Sequence, residues 1–339
     1  MSGGVDSSVA ALLLQRQGYD VVGVFMRGFN VDGCQDEDAE DARRVAGHIG
    51  VPFYVWDFED EYKKYVVDYM VEGYRRGITP NPDVMCNKEI KFGFFMQKAL
   101  AMGADFVATG HYVKIKHAKG DGSKLFQGKD PNKDQSYFLW TLTQKQLKRC
   151  LFPIGDYLKP QVRAIAKKAE LPTADKKDSQ GICFLGQISL AEFLQQYIPS
   201  ATGDVVTIEG KRIGTHGGVA NYTIGQRHGL KIAGKNPYYV TEKDAKANQV
   251  TVVEDAGHPA LFKEEVLLDQ LNMIGKAKLP LTCYARVRYR QPLTLATLTA
   301  RGKKGYKLAF KKPQKFVAPG QSAVFYAKNG QMLGGGVIL

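Results

Sequence analysis

Helical and strand patterns alternate along residues 1–175 with short connections between them, and this alternation constrains the fold more than any other feature. Parallel strands need a crossover connection, usually a helix, so this order is typical of a parallel sheet covered by helices. Ligands bind such sheets at the carboxyl ends of the strands. The predicted elements are, in chain order, a helix over 6–17, a strand over 21–26, a helix over 36–48, a strand over 51–56, helices over 59–76 and 89–102, and a strand over 105–109.

The second half of the chain has a different pattern. After about Pro199, short strand segments separated by glycine predict a small mixed α+β domain. From Val266 onward, alternating apolar and polar runs with turn residues between them predict an antiparallel barrel or sandwich. A chain of 339 residues is too long for one ordinary core. We therefore predict three domains, over residues 1–198, 199–260 and 261–339.

The net charge of +13 is concentrated at the carboxyl end. Residues 261–339 hold 14 Lys and Arg against 3 Asp and Glu, and residues 271–339 hold 13 basic residues and no acidic one. This segment is also rich in strand formers, so we expect it to be folded and to present a basic surface. Such a surface binds polyanions, above all nucleic acids. A solvated basic face kept for solubility is the alternative.

Composition excludes several other classes of protein. With 44% apolar and 24% charged residues, the chain is expected to fold and not to remain disordered. No apolar stretch approaches the roughly 18 residues of a membrane span, and Asp6 is not expected in a secretory signal. We therefore expect a cytoplasmic protein. The five cysteines are scattered with no Cys-x-x-Cys pair, which argues against a disulfide framework and a paired-cysteine metal site.

The chain opens with small residues, Ser2-Gly3-Gly4, that run into the first predicted helix through Val5-Asp6-Ser7-Ser8. Small residues allow close backbone approach, and the N–H groups at the positive end of a helix face an anion. This predicts a phosphate cradle. The loop has neither the Gly-Lys-Ser/Thr ending of a Walker loop nor the spacing of a dinucleotide fingerprint, so γ-phosphate transfer and hydride chemistry are not favoured. A glycine-rich turn that only caps a helix is the alternative.

Two of the five cysteines lie in segments that favour a thiolate. Cys86 follows a turn over residues 79–83 in which two prolines fix φ, and we expect it close to a helix start and beside Lys88. Cys183 lies in a glycine-containing loop after two lysines at 176–177. Taken alone, each cysteine is more often a small buried apolar residue than a nucleophile.

These features together resemble a known family. The run Ser-Gly-Gly-Val-Asp-Ser is similar to the loop of PP-loop ATP pyrophosphatases. The pattern departs from the family over 27–38, where a tryptophan-containing sequence is replaced by Gly-Phe-Asn and Cys34. Members also carry a strand directly before the loop, which we expect upstream of Met1. Six segments, in order and with compatible spacing, resemble the tRNA-specific 2-thiouridylase family: 2–8, 81–92, 109–112, 133–139, 176–184 and 222–230.

The resemblance implies an α/β fold with a parallel-sheet PP-loop domain of the adenine nucleotide alpha hydrolase type, a small central domain and a C-terminal antiparallel β-barrel. It implies ATP-dependent 2-thiolation of the wobble uridine of tRNA, with Mg²⁺ held mainly by the ATP phosphates. Adenylation turns the C2 oxygen of the uracil into a leaving group, and sulfur then replaces it. A cysteine desulfurase or a sulfur-relay protein is the implied persulfide donor, and neither DNA nor a membrane is an implied partner.

The resemblance also implies roles for individual residues. Cys183 carries the sulfur as a persulfide, Cys86 releases the product and is left in a disulfide with Cys183, and Asp83 is the general acid/base. The implied ATP contacts are Met1, Ser2, Gly3, Gly4, Val5, Asp6, Ser7, Met26 and Gly110. The implied tRNA contacts are Asn81, Pro82, Asp83, His111, Lys133, Asp134, Gln135, Arg288, Tyr289 and Gln321.

Two other functions stay open at this point. An ATP-dependent amidating ligase or nucleotide synthetase uses the same loop, but it explains neither the two cysteines nor the acid-free carboxyl-terminal segment. A non-catalytic RNA-binding protein with a degenerate nucleotide fold would bind tRNA without releasing pyrophosphate. Individual roles also stay open, because Asp83 serves equally well as a turn former, Tyr289 as a core residue and Gln135 as a helix cap.

Overall fold

The computed structural model describes residues 1–31, 33, 35–118, 122–178, 181, 184–186, 188–230, 232–302 and 305–339. The helices in this part of the chain are α1 (Val5–Arg16), α2 (Gln35–Ile49), α3 (Glu59–Tyr62, Lys63–Val67 and Asp68–Arg75 in succession), α4 (Pro82–Met85, Cys86–Phe95 and Met96–Ala101 in succession), α5 (Gln144–Leu147), α6 (Lys159–Lys168) and α7 (Leu190–Gln195). Short 3₁₀ turns cover Ser136–Leu139, Val219–Asn221 and Pro259–Leu261.

Sixteen strands are described along the same ranges. They are β1 (Gly23–Arg27), β2 (Phe53–Asp57), β3 (Val107–Ala108), β4 (Val113–Ala118), β5 (Gly122–Gln127), β6 (Cys150–Leu151), β7 (Gly203–Thr207), β8 (Arg212–His216), β9 (Tyr238–Asp244), β10 (Gln249–Glu254), β11 (Phe262–Met273), β12 (Leu281–Arg286), β13 (Thr294–Arg301), β14 (Gly305–Lys315), β15 (Ser322–Tyr326) and β16 (Met332–Ile338).

The first domain holds the predicted parallel strands in two pairs. β1 pairs with β2, and β3 pairs with β6, both in parallel, while β4 and β5 form an antiparallel hairpin. The opening loop lies between the two parallel pairs. On one side the Met1 amino group donates to the Val24 carbonyl, and on the other Gly110, which follows β3, lies against the backbone of Asp6 and Ser7. The α/β prediction is confirmed.

Helix α4 starts earlier than the sequence pattern predicts. We expected a helix from residue 89, but it begins at Pro82, because the Asn81 side chain caps it by accepting a hydrogen bond from Val84 N–H at 3.2 Å. Proline at the first helical position and an acidic residue in the first turn favour the same start. The predicted bounds were wrong, and Cys86 lies inside the helix. There the backbone widens to i→i+5 hydrogen bonding over Cys86–Phe95.

The central domain is a four-stranded sheet in the order β8-β7-β10-β9, in which only the β7–β10 pair is parallel. The C-terminal domain is a closed antiparallel barrel in the order β11-β14-β13-β12-β15-β16. β11 closes the barrel by pairing with β16, where Leu268 faces Ile338. Leu298, Leu308 and Phe325 are fully buried in its core. The barrel prediction is confirmed, and the sandwich alternative is excluded.

The barrel docks on the first domain through strand β15. The Tyr137 hydroxyl donates to the Ser322 carbonyl at 2.9 Å, and the Trp140 indole N–H donates to the Ser322 hydroxyl at 2.9 Å. Nearby, Thr79 N–H donates to the Pro319 carbonyl at 2.8 Å. These contacts are buried or half-buried, so water cannot replace them at no cost. They place the barrel against the turn that precedes α4.

Candidate functional site

The opening loop is a backbone turn that leaves the start of α1 accessible. Gly3 has φ +70°, a left-handed conformation that favours glycine, and a Cβ there would lie 2.3 Å from the Asp38 carbonyl oxygen. Gly4 precedes the helix and provides no side-chain cap, so the first-turn N–H groups are left to other acceptors. The Ser7 hydroxyl shapes the turn by donating to the Gly4 carbonyl at 3.2 Å. This geometry suits an anion such as pyrophosphate.

Gly110 and Met26 lie on opposite sides of this loop. A Cβ at Gly110 would be 2.7 Å from the Ser7 backbone nitrogen, so only glycine lets the end of β3 approach the loop this closely. Met26 lies near the carboxyl end of β1, opposite Trp56 of β2, and is half-buried. The loop thus contacts the end of β3 through Gly110 and strand β1 through Met1, and Met26 follows two residues after the contact on β1, as expected for a site at the carboxyl ends of parallel strands.

The carboxylate of Asp6 is held by residues that the sequence motifs did not single out. Lys159, at the start of α6, donates to both Asp6 oxygens at 2.8 and 2.9 Å, and the Tyr112 hydroxyl donates to Oδ1 at 2.7 Å. Burial, reinforced by Asp6, raises the pKa of Tyr112. No local signal could have identified Lys159, because its partner in the loop lies 153 positions away.

Lys159 also contacts a second carboxylate. Its ammonium group lies 2.8 Å from Asp178 Oδ1, and Asp178 is paired with Lys133 at 2.6 Å and Arg163 at 2.7 Å. Burial raises the pKa of Asp178, but the hydrogen bonds from Lys133 and Lys159 outweigh this effect and lower the pKa to about 2. Asp178 is therefore ionised throughout the physiological range.

Cys86 lies in an apolar cluster that also contains the neighbour of the second predicted cysteine. Cys86 is 4% exposed and Phe184 is 2% exposed, and both belong to one cluster of buried side chains. The Phe184 ring contacts Tyr62 at a centroid distance of 5.6 Å and Phe193 at 5.5 Å. Cys183 itself, like Cys34, lies outside the described residues. Phe184, the residue that follows Cys183 in the sequence, is therefore in the same cluster as Cys86.

Asp83 and His111 are two titratable groups whose environment disfavours charge. Burial raises the pKa of Asp83, although the charge of Lys91 opposes the shift. Burial, and secondarily Lys91, hold the pKa of His111 well below its usual range, so the imidazole is neutral at pH 7. His111 Nδ1 is 2.7 Å from the Thr109 hydroxyl. A carboxyl group with a raised pKa keeps its proton to higher pH than an exposed one, and a neutral imidazole can hydrogen-bond an uncharged base.

The barrel reaches the turn before α4 through Gln321. Its side-chain NH₂ group donates to the carbonyls of Thr79 and Pro80 at 3.0 and 3.2 Å. Asn81 and Pro82, the next residues, start α4. The predicted tRNA contacts Asn81 and Pro82 therefore lie next to Gln321, a predicted tRNA contact about 240 positions later in the chain. The Gln321 amide supports the turn before α4.

Arg288 and Tyr289 lie where the barrel meets the other two domains. Arg288 donates a hydrogen bond to the Ile224 carbonyl at 2.8 Å. Burial lowers the pKa of Arg288, and the nearby Tyr137 opposes this shift. The Tyr289 ring lies 4.5 Å from that of Phe138. Both side chains are partly exposed and retain surface for a ligand.

The consecutive residues Lys133, Asp134 and Gln135 make contacts within the protein. Lys133 pairs with Asp178, as described above. Asp134 is 3% exposed and accepts hydrogen bonds from backbone N–H groups, including that of Ser136 at 3.1 Å. The Gln135 side chain accepts from Tyr112 N–H at 3.0 Å, so it braces the segment next to the loop and caps no helix.

The described ranges contain no group of three or more His, Cys, Asp and Glu side chains placed to hold a metal ion. They also contain no helix of the length and apolarity needed to cross a bilayer.

Three family models match successive stretches of the chain. They are described as the tRNA methyl transferase HUP domain, over residues 1–187, the tRNA methyl transferase PRC-barrel domain, over 191–254, and the aminomethyltransferase beta-barrel domain, over 263–338. A solved NMN synthetase from Francisella tularensis has 16% identity over 52% of this chain and 63% of its own, at a TM-score of 0.33, which is too low to bear on function.

Full-length relatives give the stronger comparison. The tRNA-specific 2-thiouridylase MnmA of Bacillus licheniformis is 47% identical over 348 residues, which cover 100% of this chain and 93% of the relative. The enzyme of the same name from Streptococcus sanguinis is 46% identical over 352 residues, with the same coverage. MnmA 1 of Geobacillus kaustophilus is 47% identical over 348 residues, covering 100% and 94%. On this identity and coverage, the chain belongs to the tRNA-specific 2-thiouridylase family.

Proposed function

We propose that this protein is a tRNA-uridine 2-sulfurtransferase that uses ATP to replace the C2 oxygen of the wobble uridine by sulfur. The observation that carries the proposal is one arrangement of two features. A glycine-rich backbone turn lies at the start of α1, and Cys86 and Phe184 share one buried cluster against which Met26 of β1 and Trp56 of β2 pack. A ligase that transfers ammonia has no use for the two cysteines, and membership of the family also disfavours that alternative.

The first step is adenylation of the uracil. The C2 oxygen attacks the α-phosphorus of ATP, and pyrophosphate leaves into the cradle formed by Gly3, Gly4 and the first-turn N–H groups. Gly110 and Met26 border the space for the remaining nucleotide. Mg²⁺ bound mainly to the phosphates would neutralise their charge. The departing oxygen is then part of AMP, a far better leaving group than oxide.

The second step transfers sulfur. The terminal sulfur of a Cys183 persulfide attacks C2, and AMP leaves with the original oxygen. The Cys86 thiolate then attacks the inner sulfur of Cys183, and the electron pair of the broken sulfur–sulfur bond stays on the sulfur attached to C2, which gives 2-thiouridine. The two cysteines end as a disulfide, which a dithiol reductant must reduce before the next turnover. This need favours a cytoplasmic location. The Cys183 persulfide in turn needs a persulfide-bearing protein as donor, because a thiol and sulfide form a persulfide only with an added oxidant.

The start of α4 and the side chains next to it would bind the target base. A wobble uridine lies in a single-stranded loop and can be turned out of its stack at modest cost. Asn81, Pro82 and Asp83 line the turn that would receive it, and neutral His111 offers a hydrogen bond without the cost of burying a charge. Arg288 and Tyr289 supply a cation and an aromatic face for the anticodon loop. The basic barrel adds attraction for phosphates that salt will screen.

The test is incubation of the protein with ATP, Mg²⁺, a cysteine desulfurase with free cysteine as persulfide donor, a dithiol and an unmodified tRNA that carries a wobble uridine, followed by nucleoside mass spectrometry. We expect one oxygen-to-sulfur exchange in the wobble nucleoside and release of pyrophosphate that depends on tRNA. A parallel reaction with ammonium in place of the persulfide donor tests the ligase alternative. Pyrophosphate release with nitrogen incorporation, or tRNA binding without any pyrophosphate release, would contradict the proposal.

Replacing Asp83 with asparagine tests the acid/base role. Asparagine keeps the shape of the side chain but cannot exchange a proton, so we expect the thiolation rate to fall by about 100-fold or more. Because burial raises the pKa of Asp83, its protonated form persists to higher pH than that of an exposed carboxyl and is lost as pH rises through the shifted pKa. The matching limb of the pH–rate profile should disappear in Asp83→Asn. Asp60→Asn, an exposed carboxylate in the first turn of α3, should leave both rate and profile unchanged.

A further inference from the structure

A three-residue segment, Lys176–Lys177–Asp178, directly precedes the stretch that carries Cys183, and ion pairs fix both of its ends. Lys176 Nζ lies 2.6 Å from Asp38 Oδ1 and 2.6 Å from Asp41 Oδ2, both on α2. Asp178, at the other end, forms ion pairs with Lys159, Lys133 and Arg163, as described above. We call residues 176–178 the linker segment.

Both ends of the linker segment form ion pairs with elements that contact the opening loop. On one side, the backbone carbonyl of Asp38 is the atom against which Gly3 packs, so α2 contacts the loop and Lys176 together. On the other side, Lys159 lies between two carboxylates, Asp6 in the first turn of α1 and Asp178 in the linker segment, at 2.8 Å from each. A displacement of the loop would therefore shift the partners of both ends of the segment.

The Lys159 bridge differs from an ordinary surface ion pair. The Lys159 side chain is 10% exposed, and it contacts Asp6 and Asp178 at once. On the same helix and the same stretch of chain, Lys167 pairs with Asp175 at 2.9 Å, but these side chains are 61% and 85% exposed. Exposed pairs of that kind contribute little, whereas removing one partner of a largely buried pair leaves an uncompensated charge. The chain thus contains its own control for the bridge.

We infer that the Asp6–Lys159–Asp178 bridge couples phosphate binding at the opening loop to the position of the linker segment, and with it to the delivery of sulfur. Lys159 and Asp178 are positioning residues, because they act through Asp6 and through the chain that leads to Cys183. The catalytic consequence of this inference rests on the proposed function. The structural consequence is that a nucleotide at the loop holds residues 176–178 in place, and it is independent of the proposed function.

The structural consequence is tested by limited trypsin cleavage after the exposed Lys177. We expect an ATP analogue that cannot be split between the α- and β-phosphates to slow this cleavage several-fold in the unaltered protein. Asp178→Asn keeps the shape but removes the charge, so the protection should be lost. Asp175→Asn should keep it. Equal protection of Asp178→Asn, or no effect of the analogue on the unaltered protein, would overturn the inference.

The catalytic consequence is tested by the ratio of thiouridine formed to pyrophosphate released. We expect this ratio to fall about tenfold or more in Asp178→Asn, since a displacement of about 1 Å can cost as much as 100-fold, while tRNA-dependent pyrophosphate release changes less than about threefold. Asp178→Glu should restore part of the ratio, and Asp175→Asn should leave it unchanged. An unchanged ratio in Asp178→Asn would overturn the inference.

Two features keep the test decisive. If Asp178→Asn does not fold, Lys159→Met takes its place, with Lys167→Met as the matched control on the same helix. Failure of the proposed function appears separately, as absence of thiouridine in the unaltered protein, and the trypsin experiment can still be interpreted in that case because it requires only nucleotide binding.

Discussion

Replacing Cys183 with alanine is expected to abolish thiouridine formation and to leave tRNA-dependent pyrophosphate release in place. In the proposed mechanism, adenylation uses the loop at the start of α1 and no thiol, whereas the second step has no sulfur carrier without Cys183. The thiolation rate should fall by at least about three orders of magnitude, as is usual when a covalent nucleophile is removed. Mass spectrometry of the nucleosides and a pyrophosphate assay on the same reaction measure both steps.

Two further variants define the outcome. Cys283→Ala changes a thiol buried in the barrel core, at 2% exposure, and should keep thiolation within a few-fold. Cys86→Ser should stop the reaction one step later, with the uridine held to Cys183 through a sulfur–sulfur bond, so a covalent protein–tRNA species that a dithiol releases should accumulate. Thiouridine formation by Cys183→Ala at a rate near that of the unaltered protein would refute the two-cysteine mechanism.

Replacing Gly3 with alanine is expected to cost the protein its adenylation activity. The backbone at Gly3 has φ +70°, which costs a residue with a Cβ about 1 kcal/mol by itself. The added carbon would also lie 2.3 Å from the carbonyl oxygen of Asp38, a backbone atom that cannot turn away. The loop must therefore move, and the first-turn N–H groups lose their alignment on the phosphates. We expect pyrophosphate release to fall by about 100-fold or more, the order seen when donors to a transition state are displaced.

Gly50 provides the matched control for this experiment. It has the same φ of +70°, but a Cβ there would meet nothing within 4 Å. Gly50→Ala therefore carries the backbone strain without the collision, and we expect a loss of about 1 kcal/mol in the free energy of unfolding with unchanged pyrophosphate release. Thermal unfolding of both variants separates stability from activity. If Gly3→Ala released pyrophosphate at the rate of Gly50→Ala, close packing of the loop on α2 would not be needed for adenylation.

Local sequence patterns were most reliable where one face of an element is buried. α2 is predicted over 36–48 and found at Gln35–Ile49, because Ala39, Ala42, Val45, Ala46 and Ile49 on one side of it are buried and Gly50, with φ +70°, ends it. The α/β class followed from the order of such elements along the chain. Strand β2 was placed less well. It was predicted over 51–56 and runs over Phe53–Asp57, and its Tyr54 and Val55 side chains are about half exposed.

Strand β16 shows why other elements could not be predicted. It contains three successive glycines, which disfavour a strand because they supply no side chain to pack. In the barrel, these positions have no room for a side chain. A Cβ at Gly335 would lie 2.7 Å from the Trp140 ring, and a Cβ at Gly334 would lie 2.1 Å from the Asn272 carbonyl oxygen. The reason for the glycines lies in segments remote in sequence, so no local pattern contains it.

The class of fold, the glycine-rich loop at the start of α1, the basic carboxyl-terminal domain and the two cysteines worth testing could all be predicted before the fold was known. Apolar periodicity, small residues and local charge indicate them within short stretches of chain. Other features became visible only in the folded protein: Lys159 joins Asp6 to Asp178, Gly110 packs on the loop, Gln321 supports the turn before Asn81, and Asp83 and His111 are shifted toward their neutral forms. Contacts and burial depend on residues far apart in the chain, and they exist only once the domains have packed together.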